Sequence, residues 1–259
     1  MKFIILTLFK EMYDSFLSSS IIARAVSKGL IEVKLINIRD YTLDKYHRVD
    51  TPPIGGGAGL ILKAQPIYDA LIKNSNYNTY KIIMSPKGIT FNEEKAYELS
   101  KKEEILILCG HYEGIDARIN KYFDEEISIG DFILTGGEIA SMCLIDAISR
   151  LIKGVISEES IIDESFNNNL LEYPQYTEPY DFKGDKVPDI LYSGNHKEIY
   201  KYHQYHRLTL TKKYRPDLYN KYKLTKEDIK ILKERENNIQ TKDELLAITK
   251  GKKFIKKDK

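Results

Sequence analysis

Two neighbouring glycine-marked stretches decide the fold of this chain. They read Cys109-Gly110-His111-Tyr112-Glu113-Gly114-Ile115-Asp116 and Ser128-Ile129-Gly130-Asp131-Phe132-Ile133-Leu134-Thr135-Gly136-Gly137-Glu138. Each adjoins an apolar run typical of a buried strand, and glycine lets backbone amides approach a ligand closely. One such loop alone is usually only a turn. Two loops that also carry Tyr112, Glu113, Asp131 and Glu138 predict a cradle for a small molecule.

The two loops do not carry a nucleotide-binding fingerprint. Their glycines do not follow the pattern G-x-G-x-x-G, and G-x-x-x-x-G-K-[ST] does not occur in the chain. Ordinary dinucleotide and P-loop chemistry are therefore disfavoured.

The first half of the chain alternates strand patterns with helical patterns. Strands are predicted at 3–8, 31–38, 81–84 and 104–109, and helices at about 18–28, 66–73 and 92–101. This alternation is typical of an α/β fold in which helices cover both faces of a mostly parallel sheet. Residues 137–151 are predominantly apolar, which predicts a helix in the core or at a subunit interface.

The pattern changes after residue 153. Residues 153–169 lose periodicity and include three consecutive asparagines, as a linker or mobile loop does. Asn195 and His196 then open a helix, and Thr225 and Thr241 each stand three residues before an acidic residue, as in a capping box. We therefore divide the chain into a domain at 1–156, a mobile interdomain linker at 157–169 and a small helical domain at 170–259.

Length and composition indicate a globular protein. The chain has 259 residues and a hydrophobic fraction of 42%, which supports a real core. Its two cysteines, Cys109 and Cys143, resemble small buried hydrophobic side chains and not a disulfide framework. The apolar amino terminus lacks a basic lead and a cleavage site, and no run approaches the roughly 20 residues of a membrane span. These features predict a cytoplasmic protein without a membrane partner.

Charge is distributed unevenly along the chain. Residues 199–259 contain 18 Lys or Arg and 8 Asp or Glu, although the net charge of the whole chain is only +2. A basic segment attached to an acidic body is typical of a protein that binds an anionic macromolecule through phosphate contacts. On charge alone, a solvated lysine-rich helical surface is an equally good interpretation.

Several segments together, in the same order along the chain, resemble the bacterial tRNA (guanine-N1)-methyltransferase family. Besides the two loops, they are Met1-Lys2-Phe3-Ile4-Ile5-Leu6-Thr7-Leu8-Phe9, Gly55-Gly56-Gly57-Ala58-Gly59, Ser85-Pro86-Lys87-Gly88, Leu171-Glu172-Tyr173-Pro174-Gln175-Tyr176-Thr177 and Leu191-Tyr192-Ser193-Gly194-Asn195-His196. The resemblance covers nearly the whole chain. It implies a SPOUT-type α/β fold, with a parallel sheet threaded into a deep trefoil knot, and a small helical C-terminal domain that binds tRNA. The implied activity is transfer of a methyl group from S-adenosylmethionine to N1 of guanosine-37, the base next to the anticodon.

The resemblance also implies the residues that contact the methyl donor. In the family the knot loops hold the donor in a bent shape, largely through backbone amides and carbonyls around the adenine. The matching residues here are Ser85, Pro86, Gly88, Gly110, Tyr112, Glu113, Gly114, Ile129, Gly130, Asp131, Phe132, Ile133, Leu134, Gly136 and Gly137. Their many glycines and apolar side chains suit such a site.

Methylation of guanine N1 requires more than positioning. N1 carries a proton at neutral pH, so a base must remove it, and negative charge then develops toward O6. The family places its basic carboxylate before a Ser-Phe pair, which here gives Glu164 before Ser165, with Asp163 as the alternative. Arg150 matches the family's arginine that supports the transition state. Without the resemblance, Glu164 would be interpreted as a solvated loop charge and Arg150 as a helix cap.

A site for the target guanine follows from the same resemblance. The implied substrate-binding residues are Asp50, Gly55, Gly56, Gly57, Gly59 and Ser165. A glycine-rich backbone can press against a flipped base. Thr51 and Ile54 depart from the family's residues in the segment from Asp50 to Gly59, and Glu178 departs where an arginine is common, in Tyr176-Thr177-Glu178-Pro179.

In the family, two subunits pair antiparallel, and each active site combines the knot of one subunit with the C-terminal domain of the other. The resemblance therefore implies a homodimer, with tRNA as substrate. It also implies Mg²⁺ dependence, to which Glu113 or Glu164 would contribute indirectly. His196, His203 and His206 have no companion carboxylate or cysteine at zinc-site spacing, so a protein-bound metal is not predicted.

Two other functions are compatible with these residues. One is a related knotted enzyme that methylates a ribose 2′-hydroxyl of RNA. The other is a donor-binding or RNA-binding module without catalysis. The first leaves a 2′-O-methyl nucleoside, whereas N1-methylguanine blocks base pairing and halts reverse transcriptase.

Overall fold

A computed structural model describes residues 1–157, 164–237 and 239–255 of the chain. The chain divides into two compact units, Met1–Glu158 and Glu159–Lys259. The boundary falls within the segment predicted as a linker. Asp163, the alternative to Glu164 as the base, lies outside the described residues.

A five-stranded parallel sheet forms the centre of the first unit. Its strands are β1 (Lys2–Thr7), β2 (Glu32–Asn37), β5 (Tyr80–Thr90), β6 (Glu104–Cys109) and β7 (Glu125–Ser128). Their order across the sheet is β2-β1-β6-β5-β7, and every neighbouring pair is parallel. A separate antiparallel pair is formed by β3 (Asp50–Thr51) and β4 (Ile61–Leu62). The predicted α/β fold with a parallel sheet is confirmed.

Helices cover both faces of this sheet. They are α1 (Asp14–Ser18), α2 (Ser20–Ser27), α3 (Ala64–Asn74), α4 (Glu93–Leu99) and α5 (Glu138–Ser149). Alternate residues of β1 enter two different cores: Phe3 belongs to the same buried cluster as Ile145 of α5, whereas Ile4 belongs to the same buried cluster as Leu71 of α3. Strands buried on both faces read as continuous apolar runs, which is why the sequence located them well.

Strand β5 is longer than the sequence predicted. The apolar run predicts a strand that ends at Met84, but pairing with β7 resumes at Ile89 after a shift of register. The intervening residues include Ser85, Pro86 and Gly88. Residues 85–88 therefore lie within β5, at the carboxyl end of the sheet, and not in a separate loop.

The second unit is small and mainly helical. Its helices are α6 (His196–Tyr214), α7 (Pro216–Tyr219), α8 (Lys226–Glu236) and α9 (Lys242–Ile255). The Asn195 side chain caps α6, and Thr225 and Asp228 form the predicted capping box at the start of α8. A short hairpin of β8 (Asp181–Phe182) and β9 (Asp185–Lys186) was not predicted. None of the helices in the described part of the chain combines the length and apolar character of a membrane span.

The two cysteines differ in exposure. Cys109 is buried at the end of β6, but Cys143 is exposed on α5. The prediction that both are buried is wrong for Cys143. It lies one turn from Ile139, which is 47% exposed, so α5 turns one side toward the core and leaves apolar groups on the other.

Candidate active site

The carboxyl ends of β5, β6 and β7 meet at one edge of the sheet. Ligands of open α/β sheets bind at this edge, outside the carboxyl ends of the strands. The segments that follow the three strands enclose a cavity of about 330 Å³, which we call the donor cavity.

Nearly all the predicted donor residues line the donor cavity. They are Ser85, Pro86, Gly110, Tyr112, Glu113, Gly114, Ile129, Gly130, Phe132, Ile133, Leu134, Gly136 and Gly137. Met84, Ile127 and Ala140, which sequence reasoning did not assign to this site, line it as well, as do His111, Ser128 and Thr135 of the two quoted loops. Each of these lies inside or close to a quoted segment, so position beside the motifs was the signal that could have found them.

The structure does not bring Gly88 and Asp131 to the wall of the donor cavity. Asp131 is exposed. A side chain at Gly88 would collide with the backbone of Glu126 and Ile127. Gly88 therefore lets β5 press against β7 beside the cavity, which is a packing role and not a direct contact with this space.

Gly137 holds the two glycine loops together. Its amide donates a hydrogen bond to the Gly110 carbonyl at 2.9 Å. A Cβ atom at this position would lie 2.7 Å from the Cys109 Cα atom, closer than two carbon atoms can pack. Only glycine fits here, so the start of α5 rests directly on the segment that follows β6.

A cluster of buried, hydrogen-bonded polar side chains lies next to the donor cavity. The Thr7 hydroxyl donates to Glu138 Oε1 at 2.7 Å, and the Tyr13 hydroxyl lies 2.6 Å from Ser141 Oγ and 3.4 Å from Cys109 Sγ. Burial, together with the Glu138 carboxylate, raises the pKa of Cys109 to about 12. The thiol therefore stays protonated, and Cys109 does not present a nucleophile to the cavity.

The predicted substrate loop lies against the donor cavity. Gly55, Gly56, Gly57 and Gly59 are exposed, and Asp50 is half-buried in β3. The Leu62 amide of β4 donates to the Gly114 carbonyl at 3.0 Å, and the Glu113 side chain packs directly against Gly59. Glu113 thus lines the cavity and also touches the glycine-rich loop, so the structure joins two sets of residues that are far apart in sequence.

The predicted catalytic residues belong to different units. Arg150 is the C-cap residue of α5 in the first unit. Glu164 and Ser165 belong to the second unit, where the Ser165 hydroxyl accepts a hydrogen bond from the Glu172 amide at 3.0 Å. Neither unit alone contains both the predicted base and the donor cavity.

His203 and His206, in the middle of α6, pack against tyrosines. His203 stacks on Tyr173 with ring centroids 3.6 Å apart, and the His206 ring lies 4.4 Å from that of Tyr202. Burial, together with the positive charge of Arg235, lowers the pKa of His206. Within residues 1–157, 164–237 and 239–255, no group of three or more His, Cys, Asp or Glu side chains could hold a metal ion.

The comparisons with known proteins agree on one family. The sequence model of the family described as tRNA (Guanine-1)-methyltransferase TrmD matches residues 1–221. The tRNA (guanine-N(1)-)-methyltransferase of Clostridium perfringens (strain SM101 / Type A) is 55% identical over 235 residues, which cover 90% of this chain and 99% of that protein. The protein of the same name from Clostridium beijerinckii is 55% identical over 239 residues, or 92% of this chain and 100% of its own length. That from Clostridium botulinum (strain Langeland / NCTC 10281 / Type F) is 52% identical over 236 residues.

Proposed function

The chain belongs to the tRNA (guanine-1)-methyltransferase TrmD family, and on this premise we propose that it transfers a methyl group from S-adenosylmethionine to N1 of guanosine-37 in tRNA. One observation carries the proposal. The donor cavity and the glycine-rich substrate loop are in contact through Glu113 and Gly59. The geometry of the first unit therefore supports a site where a methyl donor and a base meet.

The residues of the donor cavity fit S-adenosylmethionine. Ile129 and Leu134 give apolar walls for an adenine, and the glycines leave backbone groups within reach of a ligand. His111 also lines the cavity, and its Nδ1 is buried without a hydrogen-bond partner among the described residues. When bound, the donor supplies a methyl group on a positively charged sulfur that an in-line nucleophile can displace.

The acceptor side supplies the proton chemistry in this proposal. Glu164 takes the proton from guanine N1, and Arg150 stabilises the negative charge that develops on O6. Asp50, Ser165 and the exposed glycines of the substrate loop hold the flipped base. General-base assistance of this kind accelerates a reaction by about 10²- to 10⁴-fold.

A homodimer brings the two sides together in this proposal. The apolar side of α5 supports it, because Ile139 is 47% exposed and Cys143 is exposed beside it. A second copy of the chain would cover this side, and its Glu164 would reach the donor cavity of the first copy. The trefoil knot and the domain limits 1–156, 157–169 and 170–259 belong to the same proposal.

The basic second unit binds the tRNA backbone in this scheme, in the cytoplasm where tRNA is modified. Residues 199–259 contain 18 Lys or Arg against 8 acidic residues, which suits phosphate contacts.

Mg²⁺ would act as an accessory ion. Glu113 offers one exposed carboxylate near the cavity, and water would complete the shell, since Mg²⁺ usually keeps several waters.

Methyl transfer to a tRNA transcript tests the proposal. Tritiated methyl groups from S-adenosylmethionine should appear in a transcript with guanosine at position 37 and not in one with adenosine there. Digestion to nucleosides and mass spectrometry should identify N1-methylguanosine. A 2′-O-methyl nucleoside would instead support a ribose methyltransferase. Donor binding without transfer to any transcript would support a non-catalytic module.

A further inference from the structure

A second cavity, of about 380 Å³, adjoins the donor cavity. The two share Met84, Ser85, Pro86, Gly110, Glu113 and Gly114. Beyond this shared wall, the second cavity has an apolar part, made by Ile83, Ile115 and Ala117, and a polar part, made by Lys87 of β5, Asn120 and Glu126 of β7. A ligand in the donor cavity is therefore close to these three polar side chains.

The walls of the donor cavity do not match both ends of S-adenosylmethionine. The methionine tail of this molecule ends in an ammonium group and a carboxylate. Among the described residues that line the donor cavity, Glu113 supplies a carboxylate, but none is a lysine or an arginine. A carboxylate removed from water without a cationic partner is costly, so the tail requires a cation from a neighbouring surface.

The second cavity contains that cation next to two acceptors. Lys87 Nζ lies 3.1 Å from Glu126 Oε1, and the Asn120 amide nitrogen donates to the same oxygen at 3.0 Å. Asn120 Oδ1 is buried and finds no hydrogen-bond partner in the described part of the chain. An ammonium group could donate a hydrogen bond to such an acceptor. Because Lys87 and Glu126 carry opposite charges side by side, the cavity is complementary to a zwitterion.

We propose that Lys87, Asn120 and Glu126 form the subsite for the amino-acid tail of the methyl donor. Lys87 pairs with the tail carboxylate, and the tail ammonium donates to Glu126 and to Asn120 Oδ1. This assignment rests on the proposed function, because it takes the donor to be S-adenosylmethionine. It also gives Gly88 a purpose, since the missing side chain lets β5 reach β7 at Glu126.

Truncated ligands test the subsite by calorimetry on the full-length protein. The ligands are S-adenosylmethionine, its decarboxylated form, which keeps the ammonium, and 5′-methylthioadenosine, which lacks the whole amino-acid tail. The variants are Lys87→Met and Glu126→Gln, with Lys121→Met as the matched control at an exposed lysine outside this cavity. The Lys87 side chain is 68% exposed, so its loss should leave folding intact, as a thermal melt will check.

The expected result is a loss that depends on the ligand. Lys87→Met should weaken S-adenosylmethionine by about 3- to 10-fold, and change the decarboxylated ligand and 5′-methylthioadenosine by less than about 2-fold. Glu126→Gln should weaken both ligands that carry an ammonium and spare 5′-methylthioadenosine. Lys121→Met should change none of them.

Two results would overturn the subsite and leave the donor cavity standing. One is an equal loss for S-adenosylmethionine and its decarboxylated form in Lys87→Met, and the other is no loss in either variant. If the unmodified protein binds none of the three ligands, the proposed function fails and the subsite fails with it.

Discussion

The proposed donor side and the proposed acceptor side of the site are built in opposite ways. On the donor side, Gly137 lies so close to Cys109 that a methyl group does not fit. On the acceptor side, Gly55 and Gly56 have φ angles of +97° and +89° and nothing within 4 Å of a built Cβ atom. Glycine is thus required by packing in one place and by backbone conformation in the other. Under the proposed function, the contrast corresponds to a closely packed cavity for the donor and a loosely surrounded loop for the base.

Glu164→Gln should have the largest effect, because it should lower turnover without changing donor affinity. Glutamine keeps the size of the side chain but cannot take the N1 proton, so turnover should fall by about 10²- to 10⁴-fold. The Kd of the donor should stay within about 2-fold, because the donor cavity belongs to the first unit. Single-turnover methylation and calorimetry measure the two quantities.

Glu178→Gln is the control for this substitution, because Glu178 is an exposed carboxylate of the same unit. It should leave turnover within about 2-fold, as expected for a surface substitution. Loss of donor affinity in Glu164→Gln with unchanged turnover would show that this residue is not the base.

Gly137→Ala should damage the donor side. The backbone at this position has φ −80° and ψ −7°, which alanine adopts without strain, so the effect reports packing alone. Overpacking of this kind costs about 1–3 kcal/mol, and the donor Kd should rise about 10-fold with a lower melting temperature. Calorimetry that shows normal donor affinity would contradict the close contact with Cys109.

Gly55→Ala should affect only the acceptor side, and by less. An alanine at positive φ costs about 1–2 kcal/mol, which would bias the loop away from its present shape. We expect KM for tRNA to rise about 3- to 5-fold, with unchanged donor affinity.

Gly184 provides a matched control for that backbone strain. Its φ is +96°, and nothing lies within 4 Å of a built Cβ atom, but it sits in the hairpin between β8 and β9. Gly184→Ala should therefore lower stability without raising KM for tRNA. Equal effects of the two substitutions on KM would mean that the Gly55 loop has no special part in binding the base.

The sequence located the residues that line the donor cavity, but it did not relate the predicted acceptor residues to one another, for a physical reason. Continuous apolar runs located the buried strands, and β6 matches its predicted range of 104–109. The glycine motifs follow β6 and β7 directly, so parallel pairing alone brings them to the same edge of the sheet. The predicted acceptor residues Asp50, Arg150 and Glu164 are far apart in the sequence, and no local pattern relates them.

Other features left no pattern that a single sequence could show. The strands of the β8–β9 hairpin have two residues each, and all four are exposed, so they lack the apolar alternation of a strand. Cys143 lies in a segment that is apolar on both sides of the helix, and periodicity did not reveal which side faces outward. The implied knot depends on threading, which periodicity does not encode, and it stays a prediction.

The smallest expected effect concerns the two cysteines, which report on the packing of the donor side and on the outer side of α5. With its pKa raised to about 12, the buried Cys109 thiol stays protonated at pH 8, whereas an unperturbed thiol is partly ionised there. Iodoacetamide should therefore alkylate Cys143 and spare Cys109 in the folded protein, and modify both in urea, as peptide mass spectrometry will show. Alkylation of Cys109 as fast as Cys143 would contradict the tight contact between Gly137 and Cys109.

If a second copy covers α5, the rate of alkylation at Cys143 should rise on dilution while Cys109 stays protected, so the same experiment separates packing within the first unit from pairing between subunits.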